Sequence, residues 1–283
     1  MYLQTGLSSK TFLKNHGAFL TLAFDNFILL HQQSVSNNKK IKMKILKTSL
    51  LVASILFGSA VVNAQTADDI IAKNIEAVGG KEKLKAINSV RMENTLSIMG
   101  NDAPNTTTIL NGKGYRNESE FNGAKIIQVI TDKSGWTINP MAGANDPQAL
   151  PDEQVKAGKS QIYVVPLLDY TAQGAKAELL GQEKVGTVNA YKIKITDANN
   201  IATTYYFDPA TYYLVQISRS SEMMGQQVDV TATYSDYKKT DYGWVVPQNV
   251  DINMGGQFSM TLKLKNVEVN KEVDPKIFDM PSK

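Results

Sequence analysis

The chain has 283 residues, 42% hydrophobic and 20% charged, which supplies enough apolar material for a sizeable core and excludes disorder over most of its length. Its net charge of +3 is unevenly laid down: seven Lys and a single acid, Asp25, fall in the first 64 residues, and the remaining 23 basic and 26 acidic residues leave 65–283 near −3, without the electrostatic support that nucleic-acid binding needs. Both histidines, His16 and His31, lie in that first segment and there is no Cys, so residues 65–283 exclude a Ser-His-Asp triad, a Cys nucleophile, a thiolate zinc site and a histidine proton shuttle.

In chain order, Met43-Lys44-Ile45-Leu46-Lys47 is followed by an apolar run from Leu50 to Val62 and by Asn63-Ala64-Gln65. A charged start, an apolar centre and a small residue before the cut are the parts of a signal peptide. The run, about 13 residues, is short of the roughly 20 that a membrane-spanning helix needs. Residues 43–64 are therefore expected to be a signal peptide removed before Gln65, placing the mature protein in the periplasm with no transmembrane span. Residues 1–42 read as an upstream extension or a mis-assigned start with no fold of its own, although Phe19 to Leu30 is also compatible with a short membrane-associated helix. No Cys follows the cut, so a lipid anchor is not expected.

From Thr66 the pattern becomes helical. Thr66 and Asp69 have the spacing of a capping box, Ile70, Ile71, Ile75 and Val78 recur on one face, and Gly79-Gly80 ends the helix. Asp68 and Asp69 are acids in a first helical turn, where they complement the helix dipole rather than form a catalytic pair. A second short helix runs from Lys81 to Ile87.

From Val90 the period changes to two. Val90, Met92, Leu96 and Ile98 alternate with Arg91, Glu93, Thr95 and Ser97, and Tyr115, Asn117, Ser119 and Phe121 with Arg116, Glu118 and Glu120. The same alternation sets Tyr191, Ile193 and Ile195 against Lys192 and Lys194, Val228 to Tyr234 against Asp229, Thr231 and Thr233, and Phe258 to Leu264 against Ser259 to Lys265. Such strands predict an antiparallel meander with one solvated face. Alternation stops between Asn139 and Ala177, where Leu150-Pro151-Asp152-Glu153 starts a helix and Val164, Val165, Leu167 and Leu168 form a dense apolar cluster. A long insertion of this kind is expected to be a lid, plug or functional loop. No linker or repeat divides residues 65–283, which are expected to form a single domain.

Three short motifs fail on inspection. Gly158-Lys159-Ser160 ends like a phosphate-binding loop, but Glu153 stands where its first Gly belongs. Asp197-Ala198-Asn199-Asn200 starts like a calcium loop and lacks the following ligand and Gly. Gly112-Lys113-Gly114 is followed by Asn117 where a dinucleotide fingerprint needs Gly. No cofactor and no metal is expected, and catalysis would rest on two carboxylates whose convergence nothing in the sequence indicates.

Tyr115-Arg116-Asn117-Glu118 with Gly123, then Asp132 to Pro140, resembles the early strands of LolA-like outer-membrane lipoprotein-sorting proteins, especially those of Bacteroidetes. In order, the resemblance continues through the helix pair Ala67 to Ile87 with its Gly79-Gly80-Lys81-Glu82-Lys83-Leu84 stretch, Pro166 to Tyr170, Leu180 to Val185 and Tyr206-Phe207-Asp208-Pro209. It closes with Ser235-Asp236-Tyr237, Gly243, Pro247 and Ile277 to Pro281. It implies a mainly β (α+β) fold of the LolA/LppX kind: an unclosed, strongly curved antiparallel β-barrel with helices covering its open side and a hydrophobic cavity between. It also implies a carrier whose cavity shields lipid or lipoprotein acyl chains, with envelope donor and acceptor proteins as partners. Arg116 lies in the segment where such carriers place a gating Arg, although alternation puts it on the wet face.

The residues expected to line the cavity are Met92, Leu96, Tyr115, Phe121, Trp136, Ile138, Val164, Leu167, Leu168, Tyr191, Phe207 and Phe258. Trp136 and Ile138 share a face beside the insertion, whereas Trp244, next to Tyr242-Gly243, is expected to respond less to a bound lipid. If the helices instead fit closely on the sheet, the interior is an ordinary core, and a non-catalytic envelope-interaction or stress-sensing protein is the alternative. Cavity volume separates the two.

Overall fold

The structure, a computed structural model, describes residues 65–282 apart from 122, 224, 225 and 257. The expected signal segment and the stretch before it lie outside the described residues. Helix α1 (Ala67–Val78) begins at the capping box: the Thr66 hydroxyl accepts from the Asp69 amide at 3.1 Å, and the Asp69 carboxylate accepts from the Thr66 amide at 2.9 Å. Its buried stripe is Ala67, Ile70, Ile71, Asn74, Ile75 and Val78. It stops at Gly79 and Gly80, with φ of 150° and 85°, a backbone that favours Gly. Helix α2 (Lys81–Lys85) follows and buries Leu84.

Thirteen strands make one sheet. In chain order they are β1 (Ser89–Ile98), β2 (Asn101–Leu110), β3 (Gly114–Phe121), β4 (Ala124–Thr131), β5 (Gly135–Asn139), β6 (Ala144–Ala149), β7 (Lys176–Val185), β8 (Val188–Thr196), β9 (Ala202–Phe207), β10 (Leu214–Met223), β11 (Gln226–Lys239), β12 (Val245–Met254) and β13 (Phe258–Val269). Spatially they run β6-β5-β4-β3-β2-β1-β13-β12-β11-β10-β9-β8-β7, and each neighbouring pair is antiparallel. The β1–β2 turn puts both Met99 and Gly100 at positive φ, the geometry that joins right-twisted strands in two residues. Register shifts at Glu93/Asn94, Leu179/Gln182 and Leu214/Gln216 insert bulges, which bend strands and increase their twist.

The strand order fixes where the insertion lies. β6 and β7 are consecutive in the chain and occupy the two opposite edges of the sheet, so residues 150–175 must run from one edge to the other across its open side. This crossing segment contains α3 (Asp152–Gly158) and a 3-10 turn (Lys159–Ile162). The Gly112 amide donates to Ile162 O at 2.8 Å, the Val164 amide donates to the Asn111 side chain at 3.1 Å, and the Tyr170 hydroxyl donates to the Asp68 carboxylate of α1. Part of the stretch expected to lack alternation is strand β6. It sits at an edge around Asp146-Pro147 with only Ala144 buried, so no apolar face marks it in the sequence.

Two apolar clusters lie on opposite faces of the sheet. On the concave face Ile70 and Ile71 of α1, Leu84 of α2 and Ile87 pack with Val90, Ile193 and Phe207 of the sheet and with Leu167 and Tyr170 of the crossing segment. On the convex face Ile127, Val129 and Trp136 pack under Phe278, carried by a C-terminal 3-10 turn (Pro275–Phe278).

Candidate functional site

The inward parity of each strand follows from the register. Ile217 faces Ala232 and Arg219 faces Val230 across β10–β11, while Tyr205 of β9 pairs with Ile217. Tyr205, Ile217 and Arg219 meet the crossing segment from below and line with it a cavity of ≈ 380 Å³ that is partly open to solvent. Its walls include Val164, Val165 and Leu167 from the crossing segment, Asn74 and Val78 from α1, and Tyr205, Leu214, Ile217, Tyr234, Tyr237 and Trp244 from the sheet side. A second lobe of ≈ 370 Å³ lies between α3 and the sheet, lined by Gln128, Ile130, Ala157, Gly158, Val230 and Ala232. Gln161, Ile217 and Arg219 line both lobes. No Asp or Glu lines either one.

The polar groups of this site are few and specific. Arg219 Nη1 donates to Ala157 O, near the end of α3, at 2.8 Å, and Arg219 has no carboxylate partner among the described residues. The Tyr237 hydroxyl donates to Leu214 O at 2.6 Å. Burial pushes the Tyr205 phenol up to about 12, with the Arg219 charge working in the opposite direction, and burial raises the Tyr234 and Tyr237 phenols as well. All three therefore stay neutral at physiological pH.

Beyond the cavity the concave face turns polar across β1–β3. Asn94 donates to the Asn105 side chain at 3.0 Å, Asn105 to Asn117 at 3.0 Å and to Ser119 at 2.9 Å, and Asn117 to Thr107 at 2.9 Å. This ladder satisfies its own amides, as a buried polar stripe must.

Of the expected lining residues, Val164 and Leu167 line the first lobe. Tyr191, Phe207, Leu168 and Met92 belong to or pack on the concave core beside it. Leu96, Tyr115, Phe121 and Phe258 stand on the concave face along their strands and line neither lobe. Trp136 and Ile138 require correction. They pair with Val129 and Ile127 on the convex face, and Trp136 Nε1 donates to Phe278 O at 2.9 Å. Arg116 lies on that face too. Its guanidinium carbon is 5.4 Å from the centre of the Trp136 ring, Nε contacts Glu118 at 2.5 Å and Nη1 donates to Ile277 O at 2.7 Å, so it anchors the C-terminal turn and borders no lobe. Trp244, expected to respond less to a bound lipid than Trp136, lines the first lobe.

Arg219, Tyr205, Ile217 and Tyr234 were not expected. In Gln216 to Ser221 both parities carry polar residues, so alternation cannot assign a face, and only the pairing of Ile217 and Arg219 with Ala232 and Val230 reveals that an Arg stands on the apolar side.

No protein-family model matches the chain, and no curated protein matches it by sequence. Among solved structures, a LolA superfamily protein from Nitrosomonas europaea is similar with a TM-score of 0.52 at 13% identity, over 76% of this chain and 98% of that one. A domain assigned to outer membrane lipoprotein sorting from Vibrio parahaemolyticus has a TM-score of 0.49 at 11% identity, over 75% and 97%. The fold is thus LolA-like: a large antiparallel sheet not closed into a barrel, with a few helices. At such identity the likeness concerns the fold, and the function must be argued from the cavity.

Proposed function

We propose that this chain is a non-catalytic carrier of the bacterial periplasm that holds an acyl chain of a lipid or lipoprotein between its concave sheet and the crossing segment. In this reading it is exported by the signal segment 43–64, cut before Gln65, and exchanges cargo with envelope proteins. The observation that carries it is the ≈ 380 Å³ cavity walled by Val164, Val165, Leu167, Leu214, Ile217 and Trp244, within the range of about 300–1,000 Å³ typical of small-ligand sites. Its lining holds no carboxylate, His or Cys, so an apolar occupant fits it better than a reacting one. No helix among the described residues is long and apolar enough to cross a membrane. A partner-binding role on a filled interior is the weaker reading, because the space beneath the crossing segment is open. The similarity of the fold to a LolA superfamily protein supports the same reading.

The test is a titration of delipidated protein with tetradecanol, an uncharged single chain, followed by tryptophan fluorescence. Binding should saturate, the signal should survive in Trp136→Phe and vanish in Trp244→Phe, and Val164→Asp should weaken affinity at least tenfold because burying a charge costs several kcal/mol unless it protonates. Absence of saturable binding in the unmodified protein would overturn the reading.

A further inference from the structure

Arg219 is a half-buried charge in a largely apolar lining, an uncommon place for one. A charge partly withdrawn from water gains from a partner, and the gain grows as a ligand covers it. Arg219 lines both lobes, yet neither lobe has a carboxylate in its lining. Its one protein acceptor among the described residues is the neutral carbonyl of Ala157. That bond uses one of five N–H donors. Tyr205 stands on the same face of the adjacent strand, diagonal to Arg219 through its partner Ile217, and the Arg219 charge reaches its phenol. Its hydroxyl donates to no protein acceptor among the described hydrogen bonds, and being neutral it retains a proton to give. Asp197, the one acid whose charge reaches Tyr205, is held in its own turn by the amides of Asn199 and Ile201 at 2.8 and 2.9 Å.

We propose that the Arg219 guanidinium, with the Tyr205 hydroxyl beside it, receives the anionic head of a single-chain lipid whose tail occupies the cavity. The proposal rests on the acyl-carrier reading and adds the chemical class of the cargo: an acyl chain ending in a carboxylate or a phosphate. Two oxygens of such a head match the planar donor fork of Arg, and charge-assisted bonds of this type are about twice as strong as neutral ones. The position explains the placement of the charge. Arg219 borders both lobes, so a head held there leaves apolar wall on either side for the tail.

The experiment compares chains of one length and different heads on delipidated protein: myristate, tetradecanol and 1-myristoyl-lysophosphatidate, by calorimetry in the unmodified protein, Arg219→Gln, Arg219→Lys and Tyr205→Phe. Myristate or the lysophosphatidate should bind at least tenfold more tightly than tetradecanol, and whichever is tighter identifies the head as carboxylate or phosphate. Arg219→Gln should abolish that preference, read as the ratio of anionic to tetradecanol affinity within the same protein, Arg219→Lys should restore part of it, and Tyr205→Phe should reduce it by a smaller factor. Thermal midpoints report whether each variant is folded. Equal affinity for charged and uncharged heads in the unmodified protein, or a preference that survives Arg219→Gln, overturns the proposal. If tetradecanol and both anions all fail to bind, the carrier reading falls instead.

Discussion

On the convex face of the sheet Trp136 and Arg116 lie together, Trp136 2% exposed beneath Phe278 and Arg116 in contact with Glu118 and with the carbonyl of Ile277. On the concave face Trp244 and Arg219 border one cavity, with no carboxylate beside the guanidinium and open volume beside the indole. The residue types are the same and the surroundings differ. The first pair is consumed by holding down the C-terminal turn. The second retains unused hydrogen-bonding and packing capacity, which is the physical meaning of a binding site. A residue's type therefore says less about its role than whether its neighbours already satisfy it.

The strongest way to break this comparison is to truncate each side in turn. Trp136→Ala removes a buried indole and its bond to Phe278, and large aromatic truncations in cores cost about 3–5 kcal/mol. Chemical denaturation should show a loss of that size, while the folded fraction should bind tetradecanol as before. A parallel loss of affinity would mean that the two faces are not independent.

A milder probe acts on the same turn from beneath. A Cβ added at Gly114 would stand 2.7 Å from the Phe278 ring, closer than side-chain carbons approach, so the ring must move. Overpacking of this kind costs about 1–3 kcal/mol. Gly114→Ala should lower stability within that range and speed proteolytic trimming of the C-terminal residues. Unchanged stability with unchanged trimming would show that the turn gives way freely and that Trp136 is held by the sheet alone.

The fold was largely legible because it follows from period. Val90 to Ile98 and Phe258 to Leu264 alternate cleanly and are strands that pair with each other, and the Thr66–Asp69 box with its Gly79-Gly80 stop marks a helix whose ends match. Edge strands and strands with polar residues on both faces, such as β6 and β10, carry no such signal. Of the residues expected in the candidate site, Val164 and Leu167, where the chain is locally apolar, are the ones that border a cavity. Alternation puts residues on the same or opposite faces of a strand but does not say which face is concave. Trp136 and Ile138, being large and apolar, have to be covered, and here the cover is the C-terminal turn, about 140 residues further along the chain, rather than the insertion beside them. Arg219 illustrates the reverse: it lies in a strand whose two parities are both polar, and only its strand partners place it on the concave face.

The smallest expected effect concerns pH and again separates the two arginines. The hydrogen bond from Arg116 holds the Glu118 carboxyl below its ordinary value of 4.5, with partial burial opposing and the charges of Arg116, Lys125 and Arg91 assisting. Because the folded state lowers this pKa, the group adds stability that is fully present above the unfolded value and is lost as pH falls through the folded one. Glu118 is part-exposed, so the contribution is expected to be roughly 1 kcal/mol or less. Glu118→Gln should therefore be slightly less stable than the unmodified protein at pH 7, and the gap should close as pH is lowered below about 4.5, the ordinary glutamate value, with tetradecanol affinity the same in both proteins. Arg219 has no acid partner among the described residues, so its replacement should produce no matching step. Acid denaturation midpoints measured from pH 7 to 3 would check this, and a gap that stays constant across that range would show that Arg116 gains nothing from the carboxylate beside it.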